Sequence, residues 1–304
     1  MASKELFFTP VIFAEGGHIE NEASSGTGNN LPKLVLASGG TSSNYSLVAE
    51  SKGLGSFQLR STSYPKNQPG FVGVDLQIYA SAPTETASGL FSCTVGSANT
   101  ASGQNATAIG GGCIANATQS TAIGTSATAS GNGATAVGNA CSAGAANSLA
   151  LGKHSSARIQ GMTSFASGQA SAVGDRQSGR LHLRGATTSN ETISLTVDGS
   201  ALSASNSLTL SEGLTLGGIA TFIGVSSAGR RYMRRRFMAY RSSGGNATID
   251  MNSNEAQNAS LILPDVSSSV AANTTYQCAD FQVTGQTGVA VDWLVMVDWV
   301  EMQS

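Results

Sequence analysis

Along this chain Val95, Ile109, Ile123, Val137, Leu151 and Phe165 recur every 14 residues without a slip. Gly follows each of the first five (Gly96, Gly110, Gly124, Gly138, Gly152), and Ala166 follows the sixth. Eight residues before each apolar position stands Ala: Ala87, Ala101, Ala115, Ala129, Ala143 and Ala157. Immediately before it come Thr94, Ala108, Ala122, Ala136, Ala150 and Ser164. The unit is x-Ala-Ser-Gly-x-x-Ala/Ser-Thr-Ala-Φ-Gly-x-x-x, with Φ apolar, in six copies over residues 86–169. Such a unit is too short for two helices and fits two short strands joined by two turns. The Gly column supplies positions of positive φ or close backbone approach. Stacked at a strand spacing of about 4.8 Å, six layers form a rod of roughly 29 Å. Each layer is expected to bury one sizeable apolar side chain. One such column is too thin a core for a single chain, but it suffices if three chains bring their columns to a common axis. The predicted trimer axis therefore runs through Val95, Ile109, Ile123, Val137, Leu151 and Phe165.

From about residue 175 the pattern changes to strand alternation. Val291, Trp293, Val295, Val297 and Trp299 share one face of a terminal strand, with Asp292, Met296 and Asp298 on the other. Residues 208–216 and 276–284 also read as strands. An antiparallel sandwich of six to eight strands is the expected closure, and it caps the strand edges at the open end of the stack. Residues 1–70 read as short β elements between loops rich in Gly, Ser and Asn. Their most apolar stretch, 6–13, is either a first core strand or a segment that inserts into a partner. The expectation is an all-β chain: an N-terminal segment (1–70), a homotrimeric parallel β-roll shaft (71–174) and a C-terminal antiparallel β-sandwich (175–304).

Composition narrows the function classes. The chain has 37 Gly, only 11% charged residues, 40% hydrophobic residues and a net charge of −2. Long helices and disorder both fit this poorly, and nothing in the charge balance points to nucleic acid or membrane. No Asp, Glu, Lys or Arg occurs over the 67 residues 86–152. Burial against neighbouring chains explains that gap, and so does an outward surface of Thr, Ser and Asn. Later copies admit Lys153, His154 and Arg158, and larger Ile159 and Met162, as a terminal layer adapting to the region beyond it. The apolar run Leu6-Phe7-Phe8 is too short for a signal-peptide core, and no stretch approaches a membrane span. The chain is thus expected to be made in a cytosol and to attach through other proteins. Sequons such as Asn44, Asn105, Asn116, Asn190, Asn258 and Asn273 are then explained by composition alone.

The densest charge is the run from Arg230 to Arg241, with six Arg and interleaved Tyr232, Phe237 and Tyr240. It suits carboxylate pairing across a trimer interface, contact with an anionic glycan, or nucleic acid; on a strand its side chains divide between two faces. Cys113 and Cys141 share a repeat column two layers apart, roughly 9.6 Å, beyond disulfide reach. Cys93 and Cys278 lie elsewhere, so all four read as buried small side chains. His18, Glu20 and Glu22 alternate like ligands on one strand face, while His154 and His182 lack neighbours at ligand spacing; no metal and no cofactor is expected. Gly131-Asn132-Gly133 falls within the repeat register, which already explains its glycines. Cleavage of a polysaccharide needs two carboxylates about 5–9.5 Å apart, and the repeats have none. Asp250, Asp265, Asp280 and Asp292 leave pairs in the C-terminal region open. No catalytic residue is assigned, and the chain is expected not to be an enzyme.

The pattern A-S-G-x-x-A-T-A-Φ-G resembles the head repeats of trimeric autotransporter adhesins, which also occur in phage tail fibres and tailspikes. Gly73-Val74-Asp75-Leu76-Gln77 looks like the segment that enters such repeats in phage-type proteins. Gly174-Asp175-Arg176-Gln177, Leu183-Arg184-Gly185 with Thr187-Thr188, Val283-Thr284-Gly285 and Val291-Asp292-Trp293 resemble a module found C-terminal to them in phage fibres. The resemblance implies a left-handed β-roll trimer in a virion, made in the host cytoplasm. It implies partners for the N-terminal segment among other virion proteins. The distal module would meet host cell-surface polysaccharide, with Arg234, Arg235, Arg236 and Tyr240 as receptor contacts. The alternatives are a capsid cement or head-fibre trimer without a receptor, and a polysaccharide-cleaving spike. No nucleic acid partner and no membrane insertion are expected.

Overall fold

In a computed structural model the described residues are 57–60, 73–82, 84–258, 263 and 265–303, all within one compact unit, Glu50–Ser304. The expected N-terminal segment, with the stretch 6–13 and the trio His18, Glu20 and Glu22, lies outside them except for a first strand, β1 (Phe57–Arg60). The described residues are all-β.

After β2 (Val74–Tyr79), five-residue strands alternate with two-residue strands. In order they are β3 (Cys93–Ser97), β4 (Thr100–Ala101), β5 (Thr107–Gly111), β6 (Ile114–Ala115), β7 (Thr121–Thr125), β8 (Thr128–Ala129), β9 (Thr135–Asn139), β10 (Ser142–Ala143), β11 (Leu149–Lys153), β12 (Ser156–Ala157) and β13 (Thr163–Ser167). The long strands form one parallel ladder whose register is the 14-residue period: Val95 pairs Ile109, then Ile123, Val137, Leu151 and Phe165. The short strands form a second, five-stranded parallel sheet. The repeat is therefore a β-solenoid with two strands per turn.

Its interior is built from residues other than the apolar column. Side chains alternate along a strand, so a buried Ala108, Ala122, Ala136 or Ala150 turns the following apolar residue outward. The columns of Ala101, of Ala106 with Ser120 and Ala134, of Ala108, and of Cys113 with Ala127 are at 0% exposure. The tube is filled by small side chains, and Val95, Ile109, Ile123, Val137 and Leu151 stand half-buried on its outside. The turns before Ile159 and Met162 thus bury no large apolar group of their own.

In the first five copies only glycine fits the column after the apolar one. At Gly124, φ is +126° and an added Cβ would lie 2.0 Å from the carbonyl oxygen of Gly138 in the next turn. The corners are a second finding. They carry left-handed φ at Ala98, Ser126, Ala140 and His154, and seven residues on at Asn105, Gln119 and Asn147, with φ between 50 and 61°. Such a conformation costs an L-residue roughly 1–2 kcal/mol, so the stacked ladder has to hold it.

The long-strand sheet continues past the last turn. β14 (Arg176–Thr187) pairs antiparallel with β13, with Phe165 opposite Ser178. β15 (Thr192–Ser194), β16 (Leu208–Thr209), β17 (Leu214–Val225), β18 (Arg230–Arg241), β19 (Ala247–Asn258), β20 (Ser267–Asn273), β21 (Cys278–Thr284) and β22 (Val291–Gln303) complete the chain. The sheet runs on in the order β14-β22-β17-β18-β19, while β15, β16 and β20 gather around β21 in a four-stranded sheet. Phe237 of the first sheet meets Phe281 of the second edge to face, ring centroids 5.2 Å apart. Val291, Trp293, Val295, Val297 and Trp299 all face this core, as their alternation predicts. The strand expected over 208–216 is broken: Leu214 N closes a turn onto Ser211 O, and Gly213 takes φ +76°.

Matched polar devices sit at the two ends of the solenoid. At entry, buried Asp75 accepts from Thr86 Oγ1, Thr94 Oγ1 and Gln77 Nε2 at 2.8–2.9 Å, and Gln77 Oε1 accepts the Asn99 amide at 2.6 Å. At exit, Gln177 accepts the Ser156 amide at 2.7 Å and donates to Ser156 O at 2.8 Å. Gln177 also donates to Glu301 Oε1 at 2.7 Å. Gln177 thus stands in for the strand that is missing beyond the end of the short-strand sheet, whereas at entry the backbone of Thr86 and Gly89 pairs with Ala101 and Gln77 takes the Asn99 amide beside it.

Candidate interaction surface

The outward apolar column is the first surface of interest. It contains every residue assigned to the trimer axis, and the structure brings all six into one line on one face. Their burial falls off only at the end, where Phe165 is 56% exposed. The neighbouring outward column holds Thr107, Thr121 and Thr135, so the line is a narrow apolar ridge with hydroxyls beside it.

The second surface is the outer face of the C-terminal sheet. Register fixes its membership: Leu294, Met296, Asp298, Val300 and Met302 on β22, and on β18 Arg230, Tyr232, Arg234, Arg236, Met238 and Tyr240. The arginine run is therefore split, as alternation requires. Arg235 does not join Arg234, Arg236 and Tyr240: it lies on the inner face, donating to Ser268 Oγ at 2.9 Å and Asn252 Oδ1 at 3.0 Å. Burial pulls its pKa down. Arg231 is buried as well. Arg241 donates to Gly245 O at 2.9 Å and faces Glu212 at 3.4 Å.

Arg234 and Arg236 both pair with Glu255, Arg234 at 3.3 Å. Strand pairing slips between Arg234 and Arg235, opposite Ala256 and Asn254, so Glu255 is the extra residue of a bulge. That bulge aims its carboxylate between the two guanidiniums. The carboxylate partner expected from another chain is thus supplied within this one. Arg180 and Asp298 pair at 2.6 Å on the same face, and the contact raises the Arg180 pKa.

Sequence reasoning missed the joint between the two regions. Glu301, its side chain at 0% exposure, receives Arg158 in a two-pronged contact at 2.5 and 2.8 Å, Gln177 at 2.7 Å and Trp299 Nε1 at 2.7 Å. Here the charge that the last repeat admits finds its use, while Met162 and Ile159 of the same turn are buried. A signal did exist, since both flanking motifs, at 73–77 and 174–177, end on the glutamine that caps a solenoid end.

Other motif residues prove structural. Trp293 Nε1 donates to Thr187 Oγ1 at 3.0 Å, and a Cβ on Gly285 would lie 2.1 Å from Ser189 O. Asp175 accepts the amides of Ala170, Ser171 and Ala172, which hold its carboxyl well below the usual range. The four cysteines are free. Cys113 Sγ donates to Gly124 O at 3.2 Å and Cys141 Sγ to Gly152 O at 2.8 Å, and burial raises both thiol pKa values. Of the four aspartates left open, Asp280 is buried against Ser194 and Gln282, while Asp250, Asp265 and Asp292 are exposed.

No family model matches the chain. No curated protein matches it either. Among solved structures it is similar to a tailspike protein of Acinetobacter baumannii bacteriophage Fri1, a capsular polysaccharide depolymerase, at 11% identity and a TM-score of 0.28. The match covers 76% of this chain, which spans 44% of the length of that one. The expectation of a chain without enzymatic activity is corrected by this finding, because the matched protein is an enzyme. At this TM-score no residue or reaction carries over.

Proposed function

We propose that the chain is a virion protein of the phage tail fibre or tailspike type, trimeric through its solenoid and attaching to host-surface polysaccharide. One observation carries the trimer. The solenoid's interior is already filled by small side chains, yet an unbroken column of Val, Ile, Leu and Phe stands outside it. Three left-handed coils around one axis would cover that column, and the absence of charge over residues 86–152 supports the same arrangement.

The virion assignment rests on the repeat and flanking motifs. In this reading residues 1–70 dock onto other virion proteins and the C-terminal region is a β-sandwich tip. Arg234, Arg236 and Tyr240 contact an anionic glycan, with Arg235 bracing the two sheets. Three tips per fibre and several fibres per particle convert weak contacts into firm attachment, a gain of order 10²–10⁴. The test is retention of the purified full-length protein on immobilised bacterial capsular polysaccharides. Retention that weakens in Arg234→Ala/Arg236→Ala is expected; indifference to every polymer would overturn the attachment reading. The same incubation, read for new reducing ends, reports whether the surface only holds the polymer or also cuts it.

A further inference from the structure

The apolar column does not stop at the last turn. Directly paired residues on neighbouring strands share a face, so the line can be traced by register into the C-terminal sheet. Phe165 lies opposite Ser178, Ser178 opposite Val300, Val300 opposite Gly217, Gly217 opposite Met238, and Met238 opposite Met251. From Phe165 to Met238 the line alternates large and small, and it ends on Met251. Phe165 at 56%, Val300 at 66% and Met251 at 37% exposure are raised, with Ser178 and Gly217 between them. The small residues leave hollows. One of about 240 Å³ lies beside Ser178, bordered by Phe165, Arg180 and Trp299. Another of about 210 Å³ lies over Gly217, bordered by Met238, Val300 and Met302. At Gly217 an added Cβ would meet only Phe237 O, at 3.9 Å, so that space is open.

Resting on the trimer reading above, we propose that the chain-to-chain interface continues from the solenoid through this row. The raised residues Phe165 and Val300 of one copy would pack into the Ser178 and Gly217 hollows of the next. The occupant is a second copy of this chain, for two reasons. The row continues by register the column that three copies would share, and its raised and hollow positions complement each other. Five further strands at about 4.8 Å each lengthen the roughly 29 Å interface by nearly as much again. Charge is compatible, since the Arg180–Asp298 pair flanking the row is already neutral within one chain. The consequence for attachment is positional. Tyr240 and Arg236 border the interface, whereas Arg230, Tyr232 and Arg234 lie farther along β18 and remain open to solvent.

The test uses the full chain in a Cys93→Ser background with single cysteines at three places and a short bismaleimide crosslinker, read on a denaturing gel. Ile123→Cys reports the solenoid axis, Val300→Cys the continued row, and Asp292→Cys the same outer face eight residues away, about 27 Å along the strand. Crosslinked dimers, the most that one reactive cysteine per chain and a two-ended linker can join, are expected at 123 and 300 and none at 292. Crosslinking at 123 with none at 300 would overturn the continued interface while leaving the trimer standing. Equal crosslinking at 292 and 300 would overturn it too, because contact would then not keep to the row. No crosslinking at either 123 or 300, with a single-chain mass, would sink both.

Discussion

The solenoid and the C-terminal region share one continuous sheet but make their cores in opposite ways. In the solenoid, Ala, Ser and Cys fill most of the tube, and no buried apolar side chain is larger than Cys over the turns before Ile159 and Met162. In the C-terminal region Phe222, Phe237, Phe281, Leu181 and Leu183 are fully buried and Trp293 and Trp299 nearly so. Burying a Phe or Leu is worth about 1.5–3 kcal/mol, a deleted methyl far less. One region can therefore hold itself together by apolar burial. The other depends on its stacked rungs, which also have to hold the strained corners. Two regions with similar hydrogen-bonding thus have different needs for a neighbour.

That contrast is easiest to break where the backbone is tightest. Gly124→Ala combines a forbidden φ with a clash against the next turn, so a loss of more than about 4 kcal/mol is expected. Circular dichroism should then show the solenoid's transition lost or far lower, while a C-terminal fragment protected from protease keeps its core. A wild-type melting curve would contradict the tight-ladder account. In the other region the damage comes from removing bulk. Phe237→Ala should cost roughly 3–5 kcal/mol through the cavity it leaves against Phe281, read as a lowered denaturant midpoint.

The joint comes next. Glu301→Gln keeps the shape but leaves Arg158 without its counter-charge, at an expected cost of roughly 3 kcal/mol. Arg158→Met with Glu301→Gln should recover part of that loss. No recovery would mean that Glu301 acts through Gln177 and Trp299 instead. The smallest effect expected is one of pH. The Ser200 hydroxyl and amide, with Asn206 and Thr196, hold the Asp198 carboxyl down to about 2. A depressed folded pKa gives stability that is present above the unfolded value near 4 and is lost as the pH falls through about 2. Pepsin should therefore cut near Leu202 faster at the lower end of that window, after correction for its rate on an unfolded peptide. A rate ratio that stays flat would contradict it.

The repeat was legible because one turn of solenoid equals one period of sequence, so Gly124 and Ile123 announce themselves by recurrence. Which way the apolar residue points is set by the Ala before it, and the thinness of a lone apolar column argued against burial inside its own chain. The corners were hidden: Ala98 and Ala140 have no preference for left-handed φ, and only the ladder puts them there. Division of the arginine run between faces was readable from alternation. The partner Glu255 was not, because a bulge of one residue decides where it points. Arg158 and Glu301 stand 143 residues apart, and nothing local links them.

The central claim is that the outward column is covered by two further copies of the chain. Native light scattering of the full-length protein tests it most directly, with Ile123→Asp alongside. The account predicts three times the 30.7 kDa of one chain for the wild type, and loss of that assembly in the variant. A wild-type mass of one chain, or a variant that stays trimeric, would contradict it.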